Sequence, residues 1–222
     1  MNKRNAIPII IRAAEQYHSN LENQKILFIY GNPTVIKTQL NTNEKTLSGL
    51  TGYEVAFHKS NFLHLTGVKI NKDSIKSSIH FYQKCLDKRL CESDFYLSKD
   101  GTTNQKLDII EQMMNLKKKV TMIGDFTDKG PQLYSEKVAG TVCACIGFVE
   151  DSYTKLNVPN TLLKKDIRDV CAKPQQKIYM ILSKDYESAK YTTLEKIDKN
   201  IEFGKIILPK EIQEKIEISI YG

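Results

Sequence analysis

The residues best suited to chemistry in this chain are two histidines in one short segment, His58 and His64. Thr66 and Gly67 follow His64 closely, so a hydroxyl and a sterically open backbone lie near its imidazole. A histidine that titrates near neutral pH, a hydroxyl and free amides are the groups that a phosphodiester-cleaving site needs. The alternative is a histidine buried at the start of a core element, and the residues alone favour neither interpretation.

Residues 159–168, with the sequence PNTLLKKDIR, form a second polar cluster. The apolar side chains would anchor this segment to the core, and the polar ones are candidate phosphate contacts. These candidates are Thr161, Lys164, Lys165 and Arg168. Arg168 is the strongest of them because a guanidinium can hold a phosphate through two hydrogen bonds and stays charged throughout a reaction. For any one lysine, a solvated basic turn is the commoner explanation.

Three further polar residues lie at or just after the end of a predicted strand: Lys184, Tyr191 and Thr193. Functional residues are often found where strands give way to loops. We therefore include these three residues in the candidate set.

The chain is basic, with 33 Lys and Arg against 26 Asp and Glu and a formal net charge of +7. This balance favours a polyanionic partner such as RNA, but it does not indicate any chemistry. The sequence has no glycine-rich phosphate loop followed by lysine, no GxSxG elbow and no HExxH motif. Cys143 and Cys145 have no second pair of ligands at a suitable spacing, so we expect neither a zinc site nor another metal or cofactor.

The compartment is predicted from cysteine usage and from apolar runs. The five cysteines are an odd number and favour reduced thiols. The apolar run at residues 7–11 is too short for a secretory signal, and no stretch approaches the roughly 20 apolar residues that span a bilayer. We therefore expect a cytoplasmic protein with no membrane segment.

The elements that would position the polar clusters follow from hydrophobic periodicity. Helical spacing predicts helices over residues 9–21, 73–90 and 103–116. Strands are predicted over residues 25–30, 53–57, 120–126, 138–149 and 177–183. Helices followed by a run of strands indicate an α+β fold with an antiparallel sheet, and residues 1–50 are predicted to form an N-terminal helix-strand extension packed on the core.

Four strings in this order resemble a known nuclease group: NFLHLTGV at residues 61–68, FYQKCL at 81–86, MIGDF at 122–126 and PNTLLKKDIR at 159–168. The chain resembles the phage-associated nuclease families of the Barnase, EndoU, colicin and RelE-like superfold, and within them the fourth phage-type branch. The resemblance covers roughly residues 50 to 200. It implies a nuclease domain over residues 51–200, in which two helices pack on a four-stranded antiparallel sheet, followed by a C-terminal tail over residues 201–222.

The resemblance also implies metal-independent cleavage of RNA in a phage, mobile-element or toxin system. In such a reaction the ribose 2′-hydroxyl attacks the adjacent phosphorus, while a base and an acid move the protons. On this analogy His64 acts as general base or acid, Thr66 orients the phosphate and Arg168 stabilises charge. Lys184 and Tyr191 support them. His58, Thr161, Lys164, Lys165 and Thr193 are predicted to bind the substrate.

Two alternatives remain from the residues. The protein is a phage or mobile-element regulator or inhibitor that binds RNA, DNA or a ribonucleoprotein without cutting it, or it is an interaction domain whose charge is incidental. A toxic nuclease would also require an antitoxin or immunity protein as a partner. Salt-dependent binding that survives loss of His64 would distinguish a binder from an enzyme.

Overall fold

The computed structural model describes residues 1–32, 36–38, 45–127, 135–199, 201 and 206–217. The helices are α1 (Lys3–Asn20), α2 (Phe62–Thr66), α3 (Ser78–Leu86), α4 (Thr102–Met113), α5 (Leu116–Lys119), α6 (Ile167–Val170) and α7 (Lys210–Gln213). The strands are β1 (Gln24–Gly31), β2 (Ile36–Thr38), β3 (Lys45–Leu47), β4 (Thr51–Phe57), β5 (Lys69–Ile70), β6 (Phe95–Tyr96), β7 (Met122–Asp125), β8 (Lys137–Gly140), β9 (Cys145–Glu150), β10 (Asn157–Leu163), β11 (Gln176–Asp185) and β12 (Thr193–Ile197).

The three predicted helices are confirmed as α1, α3 and α4, and four predicted strands as β1, β4, β7 and β11. The single strand predicted over residues 138–149 is instead two strands, β8 and β9, which pair antiparallel. The N-terminal helix begins earlier than its apolar stripe indicated, because the Asn2 side chain caps it by accepting a hydrogen bond from the Asn5 amide. Residues 128–131, where Asp, Lys, Gly and Pro predict a turn between strands, lie outside the described residues.

The main sheet closes on itself. Its strand order is β1-β4-β10-β9-β8-β7-β11-β12, and β1 pairs with β11 as well as with β4. Seven strands therefore form a closed barrel, and β12 pairs with β11 beside it. All of these pairings are antiparallel except the single parallel contact between β10 and β4. The predicted arrangement of N-terminal helices on a four-stranded antiparallel sheet is wrong.

Two features of the sequence explain the additional strands. The segment predicted as an N-terminal extension supplies β1, which pairs with strands on both of its edges. The segment 159–168, which none of the predicted strands covers, begins inside β10. The register of β10 against β9 shifts between Pro159 and Thr161, and a bulge of this kind accommodates a proline within a sheet.

The core surrounds β1 on both of its faces. Ile26 and Phe28 belong to a large cluster that also contains the apolar faces of α1, α3 and α4. Leu27 and Ile29 belong to a second cluster with Leu208, at the C-terminal end of the chain. Burial of both faces explains why β1 has a continuous apolar run rather than an alternating one.

Residues 206–217 of the predicted C-terminal tail take part in this second cluster through Leu208, Ile212 and Ile216. Ile216 also forms a parallel bridge with Tyr191. Within the described parts of the chain, no helix has the length and apolar character that crossing a bilayer requires.

Candidate nucleic-acid cleft

A cleft with two adjoining lobes lies between α2, α4 and the end of β10. The lobes have volumes of about 830 and 630 Å³. Gly67, Lys69, Lys106 and Thr161 line both lobes, so the two form one continuous depression. We call this depression the basic cleft, since six lysines line it, Lys69, Lys72, Lys99, Lys106, Lys164 and Lys165.

Among the described lining residues, Asp100 is the one carboxylate that offsets the charge of these six lysines. The Asp100 side chain accepts a hydrogen bond from the Thr102 amide at 3.0 Å and so serves the first turn of α4. Asp108, which is not part of the lining, pairs with Lys164 at 2.8 Å. The remaining positive charge gives the cleft a field that attracts phosphate groups.

The segment before α4 is fixed by a compact set of hydrogen bonds. The Ser98 amide donates to the Thr103 hydroxyl at 2.9 Å, and the Thr103 amide donates to the Ser98 hydroxyl at 2.7 Å. The Thr103 hydroxyl in turn donates to the Gly67 carbonyl at 2.7 Å. These contacts join the start of α4 to the end of α2, so both walls of the basic cleft are held in one position.

Sequence reasoning missed Lys106, as well as Lys69, Lys72 and Lys99 of the same cleft. Lys106 lies on the buried stripe of α4 with Thr103, Ile110 and Met113, and only 8% of its surface is exposed. Its ammonium group donates to the His64 carbonyl at 2.9 Å. Burial lowers the pKa of Lys106 from 10.5 to about 8. The signal was present in the sequence, because a lysine at helical spacing from apolar residues is costly to bury.

Gly67 makes room for this lysine. It ends α2 in the left-handed conformation, with φ of 69°. A Cβ at this position would lie 2.7 Å from the Lys106 Cδ. The glycine therefore satisfies the backbone conformation and leaves space for the Lys106 side chain beside it.

His64 lies in α2 and lines the smaller lobe. The side chain is exposed at the surface, but neighbouring protein atoms partly desolvate its ring. This desolvation, together with the nearby charge of Lys106, lowers the pKa of His64 below 6.5. The imidazole is therefore mostly neutral at pH 7 and can accept a proton.

The family model described as phage-Barnase-EndoU-ColicinE5/D-RelE like nuclease4 matches residues 9–200. The chain belongs to this family. The match includes most of α1 and all of β1, which agrees with their place in the core and in the closed sheet. Membership identifies the protein as one of a family of phage-associated nucleases, for which nucleic acid is the substrate class. Comparison with curated proteins and with solved structures gave no match.

Thr161, Lys164 and Lys165, predicted to bind the substrate of this nuclease, line the basic cleft with His64. Thr161 is buried at the floor of the cleft, and both lysines are exposed at its edge. Two separate predicted clusters, one from α2 and one from β10, thus meet at one site.

Arg168 and Thr66, which were predicted to act on the phosphate, do not line the basic cleft and bind other protein groups. The Arg168 guanidinium pairs with Asp166 at 2.5 Å and is not part of the cleft lining. Thr66 is fully buried, and its hydroxyl donates to the Leu63 carbonyl at 2.7 Å at the end of α2. Thr66 is thus the buried last residue of α2, the helix that also carries His64.

Tyr191 and Lys184 lie together away from the basic cleft. Tyr191 is fully buried, and its hydroxyl donates to the Glu54 carboxylate at 2.5 Å. The Lys184 ammonium lies 4.9 Å from the centre of the Tyr191 ring and donates to the Ala189 carbonyl. Thr193, at the start of β12, is exposed. None of these three residues lines either lobe.

His58 precedes a 3-10 turn, Lys59–Asn61, and packs against Tyr186 with ring centres 4.9 Å apart. Burial lowers the pKa of His58. The negative charge of Asp151 opposes this shift, and the positive charge of Lys25 adds to it. His58 does not line the basic cleft. Across the described residues, no three His, Cys, Asp or Glu side chains are grouped so that they could hold a metal ion.

Proposed function

We propose that this nuclease is an endoribonuclease of the phage, mobile-element or toxin type, and that it cleaves RNA without a metal ion. The observation that carries the proposal is the basic cleft, whose lining contains a partly desolvated histidine and six lysines. In RNA the attacking hydroxyl belongs to the substrate. The protein then has to supply only phosphate binding, proton transfer and stabilisation of the charged transition state.

Each of these tasks has a group in the basic cleft. Lys69, Lys72 and Lys99 are exposed and can hold the phosphates on either side of the scissile one. His64, neutral at pH 7, can take the proton of the 2′-hydroxyl. Lysine ammonium groups supply the positive charge that a bound metal ion would otherwise provide. Thr66 positions α2, and Arg168 stays outside the reaction centre in this proposal.

The test uses purified protein and an end-labelled single-stranded RNA in the presence of EDTA. We expect products that end in a 2′,3′-cyclic phosphate and a 5′-hydroxyl. His64→Ala should lose about 10²-fold or more of the cleavage rate. His80→Ala is the matched control, because His80 lies on α3 outside the cleft lining, and its activity should equal that of the wild type.

Induced expression in a bacterium gives a second readout. Growth arrest with RNA degradation by the wild type, and not by His64→Ala, would agree with a toxin that requires a neutralising partner. Salt-dependent RNA binding by the wild type, with no cleavage under any of these conditions, would overturn the proposal in favour of a regulator that binds without cutting.

A further inference from the structure

We propose that Lys106 is a second catalytic residue of the basic cleft and acts as the general acid that protonates the departing 5′-oxygen. This inference rests on the proposed RNA cleavage and assigns the other half of its proton transfer. His64 and Lys106 would then form an acid and base pair, with one residue supplied by α2 and the other by α4.

The position of Lys106 is the first argument. Lys106 lines both lobes of the basic cleft, whereas His64 lines one of them. Both residues line the smaller lobe, so a phosphate bound in that lobe would be within reach of both side chains. The Lys106 ammonium directs one donor to the His64 carbonyl at 2.9 Å. An ammonium has three donors, so two remain for a substrate oxygen.

The way in which the fold holds Lys106 is the second argument. Burying a lysine ammonium costs folding free energy, whereas an exposed lysine can bind phosphate without that cost. Here Gly67 leaves space beside the Lys106 side chain. The hydrogen bond from the Thr103 hydroxyl to the Gly67 carbonyl fixes α2 and α4 around that side chain. The chain thus gives up stability at this position and keeps the ammonium in a defined place.

The proton affinities of the two groups agree with these roles. The pKa of Lys106 is about 8, so most molecules carry the proton at pH 7, while His64, with a pKa below 6.5, is mostly neutral. Environments that push two pKa values apart commonly identify an acid and a base. The titratable groups that line the cleft with Lys106 are His64 on α2, Lys69 on β5, Lys72 after β5, Lys99 and Asp100 before α4, and Lys164 and Lys165 after β10. Desolvation is the cause that lowers the pKa of Lys106.

In this reaction one bond to phosphorus forms, another breaks, and two protons move. The 2′-oxygen forms a bond to phosphorus, and its proton passes to the His64 imidazole. The bond between phosphorus and the 5′-oxygen breaks, and that oxygen takes a proton from the Lys106 ammonium. The products are a 2′,3′-cyclic phosphate and a 5′-hydroxyl, and exchange with water returns each side chain to its starting state.

The decisive experiment compares two substrates that differ in the leaving group. Uridine 3′-(4-nitrophenyl phosphate) releases 4-nitrophenolate, which needs no proton, whereas RNA releases an alkoxide that does. We expect Lys106→Met to lower the rate on RNA by about 10²-fold and the rate on the aryl ester by less than about 10-fold. Lys106→Arg keeps the charge but cannot give up a proton, so it should show the same difference. Lys210→Met, at an exposed lysine outside the cleft, is the control variant.

The pH profile of the wild type tests the same assignment without any substitution. With RNA, the rate should fall above a pH of about 8, as Lys106 loses its proton. With the aryl ester, this alkaline fall should be absent. Equal losses on both substrates, or an alkaline fall on both, would overturn the acid role while leaving RNA cleavage intact. A wild type that cleaves neither substrate would overturn the proposed function, and this inference with it.

Discussion

Replacing Lys106 by methionine is expected to stabilise the fold at neutral pH, although it removes a residue that we place in the reaction. Methionine keeps most of the length of the buried stem and removes the ammonium. Moving the pKa of a lysine from 10.5 to about 8 means that the fold disfavours the charged form by about 3 kcal/mol, at about 1.4 kcal/mol for each tenfold change.

Part of this gain is offset. The His64 carbonyl loses the hydrogen bond that it accepts from Lys106, which costs about 1 kcal/mol. We therefore expect Lys106→Met to raise the free energy of unfolding by about 2 kcal/mol at pH 7. Relative to a total stability of about 5 to 15 kcal/mol for a typical domain, this difference is readily measured.

The sign of the effect depends on pH. Below a pH of about 8 the wild type carries the full penalty, because Lys106 is charged in both the folded and the unfolded chain. Between about pH 8 and 10.5 the folded chain binds fewer protons than the unfolded chain, so the stability of the wild type rises with pH. Near pH 10.5 the penalty has gone, and Lys106→Met is expected to be less stable than the wild type by about 1 kcal/mol.

Urea unfolding followed by circular dichroism, at pH 7 and at intervals up to pH 10.5, measures this difference. The chain has no tryptophan, so circular dichroism is preferred to fluorescence. Taking the difference between the unfolding free energies of the two proteins at each pH removes the contributions of the other titrating groups. A variant that is less stable at pH 7, with a difference that does not change with pH, would refute the description of Lys106 as a desolvated ammonium.

Three further outcomes are expected. Gly67→Ala should lower the free energy of unfolding by about 1 to 3 kcal/mol, because φ is 69° and the new Cβ meets the Lys106 side chain; thermal or urea unfolding measures this. Tyr191→Phe should cost about 1 to 3 kcal/mol of stability by leaving the Glu54 carboxylate without its donor, and unchanged unfolding would contradict this. Lys99→Gln should reduce the slope of log affinity against log salt for single-stranded RNA by about 0.7, as measured by fluorescence anisotropy, whereas Lys210→Gln should leave the slope unchanged.

The sequence by itself determined the local elements and part of the site. Helical periodicity identified α1, α3 and α4, and apolar runs identified β1 and β11, because burial of one face or of both faces leaves a direct pattern in the chain. The four strings with nuclease resemblance indicated the family that the comparison then showed. His64, Thr161, Lys164 and Lys165 were predicted as site residues from the sequence, and the structure places all four in the lining of the basic cleft.

The closure of the sheet was decided by tertiary structure. The pairing of β1 with β11 joins residues that are far apart in the chain, and no local pattern records which strands meet. β10, which none of the predicted strands covered, likewise pairs with β4 on one edge and with β9 on the other. These two long-range pairings made a barrel from what the sequence indicated to be a smaller open sheet.

The same long-range packing decided which polar residues share a site. Arg168 and Lys164 are neighbours in sequence, yet Lys164 lines the basic cleft and Arg168 pairs with Asp166 outside it. Lys106 entered the site because the contact of α4 with α2 buried it there. Residue type sets what a side chain can do. Its pKa, its partners and its access to substrate depend on neighbours that only the folded chain brings to it.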